Sequence, residues 1–143
     1  MRAVGYVRVS TEKQAEGGIS IDAQRTKIQA YCLALDIELV TICTDKGVSA
    51  KTLQRPGLQR ALQMLTNDLA DALIVAKLDR LSRRIRDMAV LCDFYFREGR
   101  PWTLLSVNDF IDTRSAAGRF NLNVQASGAQ LEHESVSERT QAA

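Results

Sequence analysis

The stretch Ala-Leu-Ile-Val-Ala at residues 72–76 is a continuous apolar run. A run of this kind predicts a strand that is buried on both faces, which is the usual setting of a parallel sheet. Working outward from it, the content of β-forming residues predicts further strands. These lie at residues 3–7, 38–44 and 102–107, with a short edge strand at 110–111.

Helical segments separate these strands. Ser20 stands where an N-cap is expected for a helix to about residue 35, and Pro56 suits the first turn of a helix to about residue 67. A third helix is predicted over residues 85–98, ending at Gly99. The order β-α-β-α-β-α-β predicts an α/β fold of three layers, in which a mostly parallel sheet of four to five strands is flanked by helices.

The last part of the chain differs from the rest. We expect an α/β domain at residues 1–113 and, within 114–143, a long helix from Ser115 to about Gln141. Its apolar stripe is thin, and Gly128 costs about 1 kcal/mol in a helix interior. Such a helix is hard to stabilise alone, so its apolar residues are expected to pack against a partner subunit. They are Phe120, Val124 and Leu131.

Composition bounds the class of protein. The chain has 143 residues, of which 45% are hydrophobic and 25% charged, as in an ordinary globular domain. It has no apolar stretch long enough for a membrane span and no signal peptide, so we expect a cytoplasmic protein without a membrane partner. Cys32, Cys43 and Cys92 lie far apart and follow neither a metal-ligand nor a disulfide pattern.

Two segments that follow predicted strands carry the chemistry. Residues 6–10 read Tyr-Val-Arg-Val-Ser, which places the hydroxyl of Ser10 close to Arg8. Residues 77–83 read Lys-Leu-Asp-Arg-Leu-Ser-Arg, and the net charge over residues 77–86 is +4, against +2 for the chain. Because guanidinium groups present a planar fork of donors to phosphate oxygens, this combination suits attack by serine on a phosphodiester.

These segments resemble the catalytic domain of the serine recombinases, the family of resolvases, invertases and serine integrases. The likeness runs from about residue 1 to 141 and includes the runs Ser-Thr-x-x-Gln and Ser-Ile-Asp-Ala-Gln. It implies a resolvase-like (flavodoxin-like) sheet and names Ser10 as the nucleophile that forms a 5′-phosphoserine bond and releases a 3′-hydroxyl. The family's phosphate-binding and transition-state roles pass to Arg8, Arg80 and Arg83, with Asp79 as their partner.

Further positions are expected at the phosphate or the DNA. They are Tyr6, Gln14, Gln24, Lys46 and Lys77. Ser82, although it lies among arginines, is expected to cap a helix start. Exchange of a phosphodiester for a phosphoserine ester needs no ATP, and the sequence has no phosphate-loop motif. With no cluster of metal ligands either, we expect neither a metal nor a cofactor.

The resemblance implies DNA as the partner, a homodimer, and a tetramer in the synaptic complex. Two departures from the family pattern, His133 in place of an arginine and Gly128 in place of a large apolar residue, predict reduced activity, and His133 also predicts a weaker dimer. The family's DNA-recognition domain would begin where this sequence ends, so we expect a fragment of a longer recombinase or a truncated gene. Motifs such as Arg-Pro-Gly-Leu-Gln at 55–59 look closer to serine integrases and transposon recombinases than to small resolvases.

Two alternatives remain at this point. An impaired recombinase remnant could serve as a dimerisation or regulatory module, which His133 and Gly128 favour and the intact arginine segments oppose. A flavodoxin-like domain that binds a small phosphorylated ligand would need a glycine-rich loop after the first strand, and residues 10–14 are not glycine-rich.

Overall fold

The computed structural model of the protein describes residues 1–9, 20–47 and 53–125. Within these residues, five strands form one sheet in the order β2-β1-β3-β4-β5. The strands β1 to β4 are parallel, and β5 runs antiparallel to β4. The predicted mostly parallel sheet is therefore confirmed. The strands are β1 (Arg2–Val9), β2 (Glu38–Lys46), β3 (Ala72–Val75), β4 (Thr103–Ser106) and β5 (Ile111–Asp112).

Helices connect the parallel strands. Ser20 caps α1 as predicted, since its hydroxyl accepts a hydrogen bond from the Ala23 amide at 3.1 Å. Pro56 is the first residue of α2, where its missing N–H costs nothing. A one-turn 3₁₀ helix, Leu78–Arg80, follows β3. The α-helices in this part of the chain are α1 (Ile21–Ala34), α2 (Pro56–Thr66) and α3 (Ile85–Leu91).

The core lies on both faces of the sheet. Val4 and Tyr6 of β1 belong to an apolar cluster with α2 and α3, whereas Ala3 and Val7 belong to a cluster with α1. All of β3 is buried, as its apolar run predicts. The three-layer fold is therefore confirmed. The strand order reverses at β1, which is where ligand crevices form in sheets of this topology.

The third helix is shorter than predicted. In place of one helix over residues 85–98, α3 ends at Leu91 and continues as a π-helical turn, Cys92–Phe96. Tyr95 lies in this wider turn and packs on Trp102, with ring centroids 5.7 Å apart. Because Trp102 lies beyond the end of the helix, the spacing of apolar residues within the helix does not predict this contact. Phe96 is buried in the core beside Tyr95 and Trp102.

The turn before β5 also differs from the prediction. The edge strand begins at Ile111, and Phe110 precedes it in a left-handed conformation with φ of 55°. The Phe110 side chain is 88% exposed. An aromatic residue with a positive φ carries backbone strain, so neighbouring contacts must hold this turn in place.

The fourth helix, α4, begins at residue 116 and is described to residue 125. Ser115 caps it by accepting a hydrogen bond from the Gly118 amide at 2.9 Å. Leu122 packs into the domain core, whereas Phe120 and Val124 are 70% and 49% exposed. The rest of the predicted long helix, with Gly128, Leu131 and His133, lies outside the described residues, and the division at residue 113 stays a prediction.

Candidate active site

The carboxyl ends of β1, β2 and β3 meet at one edge of the sheet. The last residue of β1, Val9, is paired with Lys46 of β2, and the 3₁₀ helix Leu78–Arg80 follows β3 at the same edge. The predicted site residues of all three segments therefore come together. Ser10, which follows Val9 in the sequence, and Gln14 lie outside the described residues.

Arg8 and Arg80 hold each other by reciprocal hydrogen bonds. Arg8 Nε donates to the Arg80 carbonyl at 3.2 Å, and Arg80 Nη1 donates to the Arg8 carbonyl at 3.0 Å. Arg8 Nη2 also donates to the Asp79 carbonyl at 3.3 Å. The two segments that the sequence analysis singled out are thus joined directly at Arg8, two residues before Ser10.

Asp79 pairs with the arginine beside it, as its Oδ1 accepts from Arg80 Nε at 2.9 Å. Arg83 is exposed, and no side chain of the described residues pairs with it. Burial lowers the pKa of Arg8, and the nearby positive charges of Arg80, Arg55 and Arg83 lower it further. Guanidinium groups that destabilise one another in this way are stabilised by a bound anion.

Arg55 is a site residue that the sequence analysis missed. It is fully buried, and its Nη1 donates to the Tyr6 hydroxyl and to the Arg80 carbonyl, each at 3.0 Å. Its Nη2 donates to the Leu81 carbonyl. Arg55 therefore supports the backbone of the segment that carries Arg80. The sequence around Arg55 does not predict its burial, because an arginine in a predicted loop before a proline is usually exposed.

Asp45 at the end of β2 links the same group to α2. Its carboxylate accepts from the Tyr6 hydroxyl at 2.7 Å and from the backbone amides of Gly57 and Leu58 at 2.8 and 3.1 Å. It thus caps the N-terminus of α2, where a negative charge is favourable. A Cβ on Gly57 would lie 2.9 Å from the Asp45 carboxyl carbon, so glycine permits this approach.

Tyr6 and Gln24 lie beneath the edge and not on it. Tyr6 is fully buried, and burial raises the pKa of its hydroxyl, which stays protonated and donates to Asp45. Gln24 is also fully buried; its Oε1 accepts from the Arg8 amide at 3.2 Å and its Nε2 donates to the Arg8 carbonyl at 3.0 Å. Gln24 therefore supports the Arg8 backbone, and Tyr6 joins Asp45 to Arg55. Their contact with the phosphate or the DNA stays a prediction.

The remaining predicted residues lie at the surface of this edge. Lys46 and Lys77 are exposed. Ser82 is buried, and its hydroxyl accepts from the Arg84 amide at 3.0 Å. Arg84 is itself the N-cap residue of α3, and no side chain of the described residues caps that helix, so the predicted capping by Ser82 is wrong: its bond closes the turn before the helix. A cleft of about 300 Å³ opens here between the basic segment and α4. Its lining includes Lys77, Asp79, Arg83, Arg84, Asp109 and Gln125.

Two negative findings concern only the part of the chain that the structure describes. No group of three or more histidine, cysteine, aspartate or glutamate side chains in it could hold a metal ion. None of its helices combines the length and the apolar character needed to cross a bilayer.

Comparison with known proteins places this geometry in a family. Residues 3–143 match the model of the resolvase N-terminal domain, and the chain belongs to that family. It is 38% identical to the DNA-invertase hin of Salmonella typhimurium over 141 residues, or 98% of this chain and 65% of the invertase. The recognition of a serine recombinase domain is thereby confirmed, and the alternative of a flavodoxin-like domain for a small ligand is wrong.

Other relatives belong to different branches of the family. The chain is 30% identical to the Tn917 resolvase of Enterococcus faecalis, and it spans 65% of that protein's length. The crystal structure of the N-terminal catalytic domain of TP901-1 integrase matches with a TM-score of 0.77 and 35% identity, covering 94% of this chain and 98% of the integrase domain. These similar identities do not separate the branches, so the likeness to integrases stays a prediction.

Proposed function

We propose that the chain is the catalytic domain of a site-specific DNA recombinase with Ser10 as its nucleophile. The reciprocal bonds between Arg8 and Arg80 carry this proposal, because they fix two largely buried guanidinium groups at the end of the strand that leads into Ser10, next to the exposed Arg83. The relatives named as invertase and resolvase support the same activity.

The reaction exchanges one phosphate ester for another. The Ser10 oxygen bonds to the phosphorus of a DNA strand as the bond to the 3′-oxygen breaks, which leaves a 5′-phosphoserine and a 3′-hydroxyl. The proton lost by Ser10 is balanced by the proton gained by the 3′-oxygen. The reverse attack by a 3′-hydroxyl rejoins a strand, and no nucleotide is consumed. Arg83 and Arg80 stabilise the charge on the non-bridging oxygens.

Asp79 serves this reaction by orienting Arg80. Its Oδ1 accepts from Arg80 Nε at 2.9 Å, and its side chain is 32% exposed beside the cleft. Asp45, in contrast, is buried and committed to Tyr6 and α2. Backbone carbonyls accept from Arg8 and from Arg80, so the fold fixes where these two guanidinium groups lie.

Trapping the covalent adduct tests the proposal. The chain is fused to a DNA-binding domain of known specificity and given a nicked substrate with that site, in excess EDTA. We expect a protein–DNA adduct through Ser10 with the wild type and none with Ser10→Ala, while DNA affinity stays equal. An adduct that persists in Ser10→Ala, or that requires added Mg²⁺, would contradict the assignment.

The proposed partners are DNA and further copies of the chain, as a dimer that pairs into a tetramer during recombination. The exposed Phe120 and Val124 on α4 are apolar surface that a second subunit would cover. Sedimentation equilibrium should show a dimer that Phe120→Ser weakens. The matched control is Phe94→Ser, at a side chain that is 50% exposed elsewhere on the domain. A monomeric wild type would contradict this proposal.

A further inference from the structure

Asp109 lies in the turn between β4 and β5, outside the segments that the sequence analysis assigned to the site. Its Oδ2 accepts from the Leu78 amide at 2.8 Å and from the Ser106 hydroxyl at 2.6 Å. Leu78 is the first residue of the 3₁₀ helix that carries Asp79 and Arg80. The amide at the start of a helix has no acceptor within that helix, so Asp109 supplies the missing one.

The turn that carries Asp109 is also attached to the exit of β3. The Val107 amide donates to the Val75 carbonyl at 3.0 Å, and the Asn108 amide donates to the Ala76 carbonyl at 2.9 Å. These bonds extend the pairing of β3 and β4 up to Ala76, two residues before the 3₁₀ helix. Asp109 then completes the attachment with a charge-assisted bond, which is stronger than a neutral one.

The same residue meets α4 on its other side. The Asp109 carbonyl accepts weak hydrogen bonds from the side chains of Asn121 and Gln125, at 3.4 and 3.5 Å. The next residue, Phe110, has a φ of 55°, so the turn adopts a strained backbone that its contacts must maintain. Asp109, Asp79, Arg83 and Gln125 all line the cleft at the edge of the sheet.

We infer that Asp109 is a positioning residue: it fixes the 3₁₀ helix so that Asp79 and Arg80 meet Arg8, and it ties that helix to α4. This inference rests on the proposed function for its consequence in catalysis. The Asp109 carboxylate binds the backbone amide of Leu78 and the hydroxyl of Ser106, so it acts on the position of the helix and not directly on the guanidinium groups. A displacement of about 1 Å in such a segment is enough to slow a reaction about 100-fold.

Two substitutions of Asp109 show whether its hydrogen bonds or its negative charge position the 3₁₀ helix. Asp109→Asn keeps an oxygen that can accept from both Leu78 and Ser106, whereas Asp109→Ala removes it. The matched control is Asp112→Ala, at an aspartate of the neighbouring strand β5 whose carboxylate binds Arg114. All variants are made in the fusion used for adduct trapping, and their thermal unfolding is compared so that loss of folded protein is counted separately.

We expect Asp109→Ala to form the adduct about 100-fold more slowly at saturating DNA, with the half-saturating DNA concentration unchanged. Asp109→Asn should stay within about 3-fold of the wild type, since it keeps the acceptor. Asp112→Ala should match the wild type. A rate in Asp109→Ala equal to that of the control, or an equal loss in Asp109→Asn and Asp109→Ala, would overturn the inference.

Hydrogen exchange in the 143-residue chain gives a readout that does not depend on catalysis. The Leu78 amide should exchange at least about 10-fold faster in Asp109→Ala, as expected for loss of a bond worth about 1.4 kcal/mol or more, while Ile74 in β3 keeps its protection. If the wild type forms no adduct, the proposed function fails, and this comparison alone decides whether Asp109 holds the 3₁₀ helix. Unchanged exchange at Leu78 would refute that role.

Discussion

The two sides of the strand-end edge use arginine in opposite ways. On the buried side, which comprises Tyr6, Asp45 and Arg55, the Arg55 guanidinium is fully buried and donates to the Tyr6 hydroxyl and to backbone carbonyls. On the open side, which comprises Asp79, Arg83 and the cleft, Arg83 is exposed. Both side chains are guanidinium groups, so it is their surroundings that separate the structural role of Arg55 from the phosphate contact proposed for Arg83.

The difference follows from the cost of burying charge. A buried cation is tolerated only where hydrogen bonds replace its water, and removing it leaves those acceptors without donors. An exposed cation keeps its water until an anion displaces it, so its removal barely changes folding. Substitutions on the buried side should therefore change stability, and substitutions on the open side should change activity.

The largest effect is expected on the open side, for Arg83→Lys. A lysine keeps the charge but cannot offer two parallel donors to a phosphate, so the rate of adduct formation should fall about 100- to 1000-fold. The free energy of unfolding should stay within about 0.5 kcal/mol of the wild-type value. The measurements are single-turnover trapping and urea unfolding. A large loss of stability in Arg83→Lys would break the distinction between the two sides.

On the buried side, Arg55→Met should lower the free energy of unfolding by about 3 kcal/mol. The methionine fills part of the space but leaves the Tyr6 hydroxyl and the Arg80 and Leu81 carbonyls without this donor. Urea unfolding measures the loss. The free energy of unfolding of Arg55→Lys, which retains one charged donor group, should lie between those of the wild type and Arg55→Met. If both variants were as stable as the wild type, Arg55 would not be the support that its contacts indicate.

The sequence points to the residues of the open side more directly than to those of the buried side, for a physical reason. Arg83 and Asp79 stand in a dense basic segment after an apolar strand, and both pattern and composition reveal such a segment. The function of Arg55 depends on carbonyls at residues 80 and 81, far from it along the chain, which no local pattern encodes. The burial of Tyr6 is hidden for the same reason, because its motif shows its neighbours along the chain but not the side chains that cover it.

The fold likewise contains features that follow from the local sequence pattern and features that depend on contacts between distant residues. The parallel sheet follows from apolar runs and alternating helices, and its strands lie within about two residues of their predicted bounds. The exceptions are the π-helical turn Cys92–Phe96 and the left-handed Phe110. Both depend on tertiary contacts, with Trp102 in one case and with the Asp109 turn in the other.

Alkaline pH offers a smaller test of the buried side. Burial raises the pKa of Tyr6 above its ordinary value near 10, so the stability that this hydroxyl contributes is complete below pH 10 and is lost as the pH rises above it. On account of Tyr6, the free energy of unfolding should fall by up to about 1.4 kcal/mol per pH unit there. Urea unfolding at pH 9 to 11.5 measures the slope.

Tyr6→Phe is the control for that slope. It should cost about 1 kcal/mol at pH 7, because Asp45 and Arg55 lose a partner, and its stability should fall less steeply above pH 10. Tyr31 and Tyr95 remain in both proteins, so the difference between the two curves isolates Tyr6. Parallel curves would show that the Tyr6 hydroxyl ionises as readily in the folded protein as in the unfolded one.

The smallest effect is expected at Phe110, next to the residue inferred to position the 3₁₀ helix. Phe110→Gly should raise the free energy of unfolding by about 0.5–1 kcal/mol, because glycine adopts a φ of 55° without strain and little burial is lost from a side chain that is 88% exposed. Phe110→Ala is the matched control: it removes the ring but keeps the Cβ, and should gain nothing. If the alanine variant were stabilised as much as the glycine variant, exposure of the ring and not the backbone of the turn would be the cause. Adduct formation should be unchanged in both, since the Asp109 carboxylate keeps its bond to Leu78.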